Sequence, residues 1–385
     1  MKRNRNNSFF RIISAAALVL ALCFCGIGQA IWPLLQKAAM IGGALCMPEA
    51  VAAHIADRFE AYSEPPQIAE IEVDSQISEQ KPVVLSPKPP KKEDKPSVTA
   101  VIPEQSSSSV IEPPPDIPKD EQGEVLTEDM RGKAGNNVIP IGNFLLRNDT
   151  SLSANEIAEV LKQPMKLALK NTTEPQVLIY HTHATESYCP FDSGIYDKRY
   201  NWRSTDNNNN MVAVGAVLAQ VLRENGIAVI HDTAQHDYPS YDGSYANSYR
   251  SIKDHLAHYP TIKVVLDVHR DAIERENSVI VKPTATINGE KCAQLMIISN
   301  CDDGSGLIPN WRENLRFAAA FSNKLEQKAE GITRPLLFSY RKYNQQLSTG
   351  ALLLEFGSHA NTLEESKRTA RIVGQALSEL LIPQS

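Results

Sequence analysis

No C-x-x-C pair occurs in this chain, and its six cysteines are scattered as Cys23, Cys25, Cys46, Cys189, Cys292 and Cys301. That spacing excludes a zinc finger and a disulfide framework, and leaves Cys292 and Cys301 as a pair placed to bridge across a hairpin. Basic clusters are equally scarce. Lys and Arg number 39 against 45 Asp and Glu, for a net charge of −6, and no basic helix or aromatic-and-basic stripe is present, so nucleic acid is excluded as a partner. No glycine-rich phosphate loop, strand lysine or Asp-Phe-Gly accompanies His269-Arg270-Asp271, which removes a kinase reading of that triplet. Ser187 lacks the Gly-x-Ser-x-Gly elbow of a nucleophilic serine, and Cys189 lacks an activating context.

What is present begins with a basic end. Lys2, Arg3 and Arg5 precede an apolar stretch from Phe9 to Leu35, long enough to span a bilayer, which takes about 20 apolar residues. Gly28-Gln29-Ala30 offers the small-x-small pattern of a cleavable leader. The run nevertheless continues through Ile31, Trp32, Leu34 and Leu35, and bulky Leu22 before Cys23 speaks against a lipoprotein signal. The sequence therefore predicts a single-pass anchor in the cell membrane over 9–35, a cytoplasmic end at 1–8 and an extracytoplasmic bulk. Residues 36–62 form a helical-looking juxtamembrane segment with an apolar stripe through Val51, Ile55 and Phe59. Residues 63–120 change character, since 12 of the chain's 24 prolines fall between Glu64 and Pro118. Proline at this density denies a hydrogen-bonded ladder and predicts a disordered stalk, with a reach on the order of 100 Å at roughly 3 Å per residue.

After a lead-in over 121–171, residues 172–385 alternate strand and helix, which predicts an α/β domain with a mostly parallel sheet and helices on both faces. Strands are expected at Gln176 to Tyr180, Ile227 to Ile230, Ile262 to Val268 and Ala351 to Phe356. Helices are expected at Met211 to Leu222, Ser248 to His258, Trp311 to Ala329 and Thr362 to Leu381, the last opened by an Asn361–Glu364 capping box. Asn288-Gly289 predicts a hairpin joining Ser278–Thr286 to Cys292–Ser299.

Three apolar runs end in residues that bind or serve a metal ion: Val177–Tyr180 before His181, His183 and Glu186; Val264–Val268 before His269; and Leu352–Leu354 before Glu355. Parallel sheets place chemistry just past the carboxyl ends of their strands. Two histidines and a carboxylate meeting there make a zinc site, in which three protein ligands leave one position for water. His183 and His269 are the first two ligands, and either Asp206 or Glu186 the third. Glu355 is the proton carrier, because a carboxylate after three leucines is costly to bury without a partner. Each has a blander reading. A lone histidine at a strand end more often satisfies local hydrogen bonds, Asp206 is a normal helix cap, and Arg270 with Asp271 reads as a local ion pair.

The stretches VLIYHTHATESY at 177–188, NNMVAVG at 209–215, HDYPSYDGSY at 236–245, LDVHRDA at 266–272 and LLLEFGSHANTLEE at 352–365 resemble the stage II sporulation protein P family. That family is in turn similar to the zinc-dependent N-acetylmuramoyl-L-alanine amidases. By position, the resemblance makes His183 and His269 ligands and Glu355 the catalytic carboxylate. The amidases' acidic ligand falls nearest Asp206; they use Glu there, and they carry Gly-Gly where this chain has Ala184-Thr185, so Glu186 stays open and His181 has no assigned role. The resemblance implies a Zn2+-dependent peptidoglycan hydrolase acting on septal wall during engulfment, with a second activity on peptide cross-links. It also implies two partners, a lytic transglycosylase (stage II sporulation protein D) and a polytopic membrane protein (stage II sporulation protein M). Two other readings stand beside it: a peptidoglycan-binding assembly module without chemistry, and an amidohydrolase for a small soluble amide.

Overall fold

The computed structural model describes residues 116–382. The expected anchor, the juxtamembrane helix and nearly all of the stalk lie outside them; among the described residues no helix is long and apolar enough to cross a membrane.

Among the described residues, thirteen strands and five α-helices form a mixed α/β fold. The strands are β1 (Gln122–Glu128), β2 (Val138–Ile141), β3 (Phe144–Asp149), β4 (Val177–Tyr180), β5 (Ile195–Asp197), β6 (Val229–His231), β7 (Val264–Asp271), β8 (Glu274–Arg275), β9 (Val279–Ile287), β10 (Glu290–Ala293), β11 (Leu295–Asn300), β12 (Leu336–Ser339) and β13 (Ala351–Ser358). The helices are α1 (Ala154–Leu161), α2 (Met211–Glu224), α3 (Ser244–His258), α4 (Trp311–Lys328) and α5 (Leu363–Leu381). The main sheet has the order β2-β3-β12-β11-β13-β7-β4-β6. Its β13, β7, β4 and β6 run parallel, as do β11, β12 and β3, with antiparallel pairings only at β11/β13 and β2/β3. A smaller sheet follows β10-β9-β1-β5, with β8 beside β9.

Strand alternation splits the apolar runs between the two faces. Val177, Ile179, Val264, Leu266, Leu352 and Leu354 join Leu218 of α2, Phe321 of α4 and Leu377 of α5 in the largest cluster. Leu178, Tyr180, Val265 and Ala351 meet Ile252 and Leu256 of α3 on the other side. Helices therefore cover both faces, and each fully buried Leu or Phe contributes about 1.5–3 kcal/mol.

Residues 121–171, expected as a lead-in, belong to the fold. β1 lies between β9 and β5, and β3 pairs with β12 through fully buried Leu146. β1 has only Val125 and Leu126 in an apolar pair and β3 only Phe144 to Leu146, so neither shows the longer run that marks a buried strand in sequence. The hairpin turns at Asn288 and Gly289 with φ of 53° and 84°, the positive angles that a tight turn requires. It then divides at Gln294: β10 stays with β9, while β11 crosses to the main sheet. Cys292 and Cys301 thus lie at opposite ends of an extended segment, and Cys189, Cys292 and Cys301 are all free and buried. The cap of α5 also differs by one residue, because the reciprocal box is Thr362 with Glu365. Asn361 instead accepts from Ser358 N at 2.9 Å and donates to Pro283 O at 3.1 Å.

His181, whose role the sequence leaves open, packs under α2. Its Nδ1 lies 2.9 Å from Val268 O and its Nε2 2.9 Å from His231 Nε2. A carbonyl only accepts, so the proton sits on His181 Nδ1 and His231 donates to Nε2. Burial pushes His181 down to about 4, which keeps that ring neutral. An added Cβ on Gly215 would stand 2.5 Å from His181 Nε2 and 2.7 Å from His231 Nε2. Gly215→Ala gains about 1 kcal/mol of helix propensity, but displacing the buried His181 ring and the half-buried His231 ring costs about 1–3 kcal/mol and breaking their hydrogen bond about as much again. Net destabilisation is expected, read as a lower Tm; an unchanged or higher Tm would refute this packing.

Candidate functional site

The site lies on the α3 side of the main sheet, at the carboxyl ends of β4, β7 and β13. Period-2 alternation puts Asp267 and His269 on that face of β7 and Glu355 on that face of β13, with Glu355 in register beside His269. Just past Glu355, Gly357 adopts φ +67° and the β13/β7 ladder shifts register before Ser358. A Cβ there would meet Asn361 Oδ1 at 2.3 Å, so this bulge requires glycine. After β4 the chain turns back through His183 and Glu186, whose N–H donates to His183 O at 3.3 Å.

The rings of His183 and His269 stand 5.3 Å apart, centroid to centroid, at 89°. Glu186 Oε2 is 3.6 Å from His269 Nδ1 and accepts from Arg270 N at 3.3 Å. On the other side of the same ring, Nε2 lies 2.7 Å from Asp267 Oδ1, a close Coulombic contact off the line of a hydrogen bond. Asp267 itself accepts from Thr182 N at 2.9 Å and Thr182 Oγ1 at 2.7 Å. His183 Nδ1 and Glu355 Oε2 are buried with no hydrogen-bond partner.

The electrostatics follow from this crowding. Burial works to lower the His269 pKa, but Asp267 and Glu186 outweigh it and raise the ring well above its usual range. Burial likewise raises Glu186, and Arg270, His269 and His183 more than reverse it, so that its carboxylate stays ionised. Burial pushes His183 down to about 4. Burial and the charge of Asp271 push Glu355 up to about 8, against the pull of His269. A protonated imidazole therefore sits between two carboxylates, beside a neutral imidazole and a carboxyl that holds its proton.

Of the two acidic candidates, only Glu186 is in this cluster. Asp206 is exposed, and its carboxylate accepts from Asn208 N at 3.0 Å and from Asn208 and Asn209 Nδ2 at 2.9 and 2.7 Å. Arg270 and Asp271 do not pair through their side chains. Arg270 donates to the carbonyls of Ser187 and Trp202 at 2.9 and 3.0 Å, while Asp271 pairs with Arg334 at 2.9 Å. Sequence reasoning passed over Asp267, although a carboxylate inside Val264–Val268 carries the same burial cost that singled out Glu355. It also passed over His359, a buried ring with an unpartnered Nδ1 that packs edge-on to Trp202 at 4.8 Å. A histidine three residues beyond the last strand run gave no such signal.

Among the described residues no three His, Cys, Asp or Glu side chains stand close enough to hold a metal ion as placed. The donor set nevertheless fits a divalent cation. The orphaned Nδ1 of His183, the Nδ1 of His269 and Oε2 of Glu186 are the N and O donors zinc takes, and Asp267 would orient His269 from behind. A cation would take over the charge now carried by the His269 proton, which is the usual coupling of metal uptake to proton release.

Residues 63–378 match the family described as Stage II sporulation protein P (SpoIIP). Stage II sporulation protein P of Bacillus subtilis (strain 168) is 31% identical over 215 residues, which are 53% of this chain and 50% of that protein. The chain thus spans about half the length of this curated relative. Among solved structures, the N-acetylmuramoyl-L-alanine amidase AmiC2 of Nostoc punctiforme has a TM-score of 0.33 at 15% identity, covering 55% of this chain and 97% of its own. The CwlD amidase of Clostridioides difficile, solved with the GerS lipoprotein, has a TM-score of 0.33 at 10% identity, covering 53% and 94%.

Proposed function

The chain belongs to the stage II sporulation protein P family, and on that premise we propose that it is a zinc-dependent peptidoglycan hydrolase that cuts the amide between muramic acid and the stem peptide. What supports this reading is the meeting of His183, Glu186, His269 and Glu355, residues from three separate strand ends, among which His183 Nδ1 and Glu355 Oε2 are buried without a hydrogen-bond partner.

His183, Glu186 and His269 would hold the ion. Bound there, zinc supplies a Lewis acid for the amide carbonyl and lowers the pKa of water towards about 7. Asp267 holds His269 in place through its Nε2. A cation held beside it would favour the ionised form of Glu355, and as a carboxylate Glu355 accepts the proton of the attacking water at Oε2 and delivers it to the leaving amine nitrogen as the C–N bond breaks. Products are a free carboxylate on the sugar side and an intact peptide with a new amino end. The membrane anchor, the stalk and the two partner proteins implied by the resemblance belong to the same proposal, since a wall substrate must be reached from the membrane.

The test is digestion of purified peptidoglycan by the full chain, followed by mass analysis of the released muropeptides. Intact stem peptides should appear, vanish with chelator and return with zinc. Wall binding without new amine ends would instead favour a non-catalytic assembly module of the same fold.

A further inference from the structure

Metal-binding histidines are ordinarily oriented by a hydrogen bond from the ring nitrogen remote from the metal. His269 has the Asp267 carboxylate beside that nitrogen, 2.7 Å away, as a charge contact. His183 differs, because its ring is surrounded by other rings: Tyr241 is stacked at 4.6 Å and 10°, Tyr245 edge-on at 5.5 Å, and His269 edge-on at 5.3 Å.

Tyr241 comes from the loop between β6 and α3, and that loop is fastened to the turn carrying His183. Asp237 accepts from Thr185 N at 3.2 Å, from Thr185 Oγ1 at 2.6 Å and from Arg203 Nη1 at 2.7 Å. The Asp237 side chain is fully buried, and Arg203 also reaches Thr185 Oγ1 at 3.1 Å. The Arg203 guanidinium carbon then lies over the Tyr241 ring, 4.7 Å from its centre. Asn247 closes the base of the loop by donating to His236 O at 2.9 Å. One buried carboxylate thus ties together the His183 turn, the arginine and the loop, while Tyr241 itself remains 45% exposed at the surface.

We infer that Tyr241 is the positioning residue for His183. Its stacked face fixes the imidazole plane, so that Nδ1 is presented to the cluster before any ion arrives, and Arg203 holds the tyrosine in turn. The role rests on the zinc reading above. An apolar side chain of similar bulk would cover the same surface without the parallel ring, and this separates orientation from simple covering.

Zinc affinity of the full chain, measured by chelator competition, tests this without reference to turnover. Tyr241→Phe keeps the ring and should bind zinc more tightly than either variant that lacks it. Tyr241→Ala and Tyr241→Leu should each bind about 10-fold more weakly, the lower end of what an orienting contact contributes, with unchanged stoichiometry. Arg203→Lys, which keeps a charge for Asp237, should fall between. Parent-like affinity in both Tyr241→Leu and Tyr241→Ala would overturn the inference and leave the zinc reading standing. Failure of the parent chain to bind zinc would overturn both. Should Tyr241→Ala unfold, Tyr241→Leu against Tyr241→Phe carries the comparison alone.

Discussion

Glu355→Gln is expected to slow wall-amide cleavage by about 10²- to 10⁴-fold, the usual contribution of a positioned acid–base group, while bound zinc is retained. The same substitution should raise the stability of the metal-free chain in mildly alkaline buffer. The Glu355 pKa is about 8 in the fold against an ordinary 4.5, so across that window the native state keeps a proton that the unfolded chain has lost. A raised native pKa means that stability is present below 4.5 and is lost as pH climbs to about 8. Gln removes that loss, a gain on the order of a few kcal/mol. Thermal unfolding of both proteins should therefore give similar Tm values in mild acid and a higher Tm for the variant at the alkaline end. Normal digestion by Glu355→Gln would remove this residue from the mechanism; equal Tm values at both ends would mean that its carboxyl is not strained by burial.

Zinc content separates the two acidic candidates. Glu186→Gln should leave the chain with little bound metal and no measurable wall digestion, because the charged donor beside His269 is lost and each uncompensated change at a buried ionic site is costly. Asp206→Asn should keep stoichiometric zinc and near-normal rates, since its exposed carboxylate serves only Asn208 and Asn209. Elemental analysis of the two purified variants is sufficient. The opposite outcome, with zinc lost in Asp206→Asn and kept in Glu186→Gln, would require the 204–210 segment to move into the site.

That His183, His269 and Glu355 come together at one rim was legible in the sequence, because each ends or closely follows an apolar strand, where the rim of a parallel sheet lies. Which of Asp206 and Glu186 lies beside them was not, because it depends on a single reverse turn. Glu186 returns to the cluster through its hydrogen bond to His183 O, and nothing in Ala184-Thr185 announces that geometry. Arg203, Asp237 and Tyr241 were hidden for a related reason. They are separated by up to 38 positions in a polar, tyrosine-rich stretch, and only the fold reveals that they share partners. The early strands were missed because each carries too few apolar residues to be read alone; their burial is supplied by neighbours such as β12 and β9.

Gln294, where the chain passes from one sheet to the other, acts as a rivet. Its side chain accepts from Met130 N at 2.7 Å and donates to Asp129 at 2.9 Å and to Gly331 O at 2.8 Å, and its carbonyl receives Gly357 N at 3.0 Å. Met130 and Asp129 follow β1 of the small sheet, while Gly331 and Gly357 belong to the main-sheet side, so separating the sheets would break bonds at a fully buried residue. The seam between the two sheets is thereby pinned from both sides at a residue without solvent contact, so the small sheet and the main sheet behave as one continuous wall.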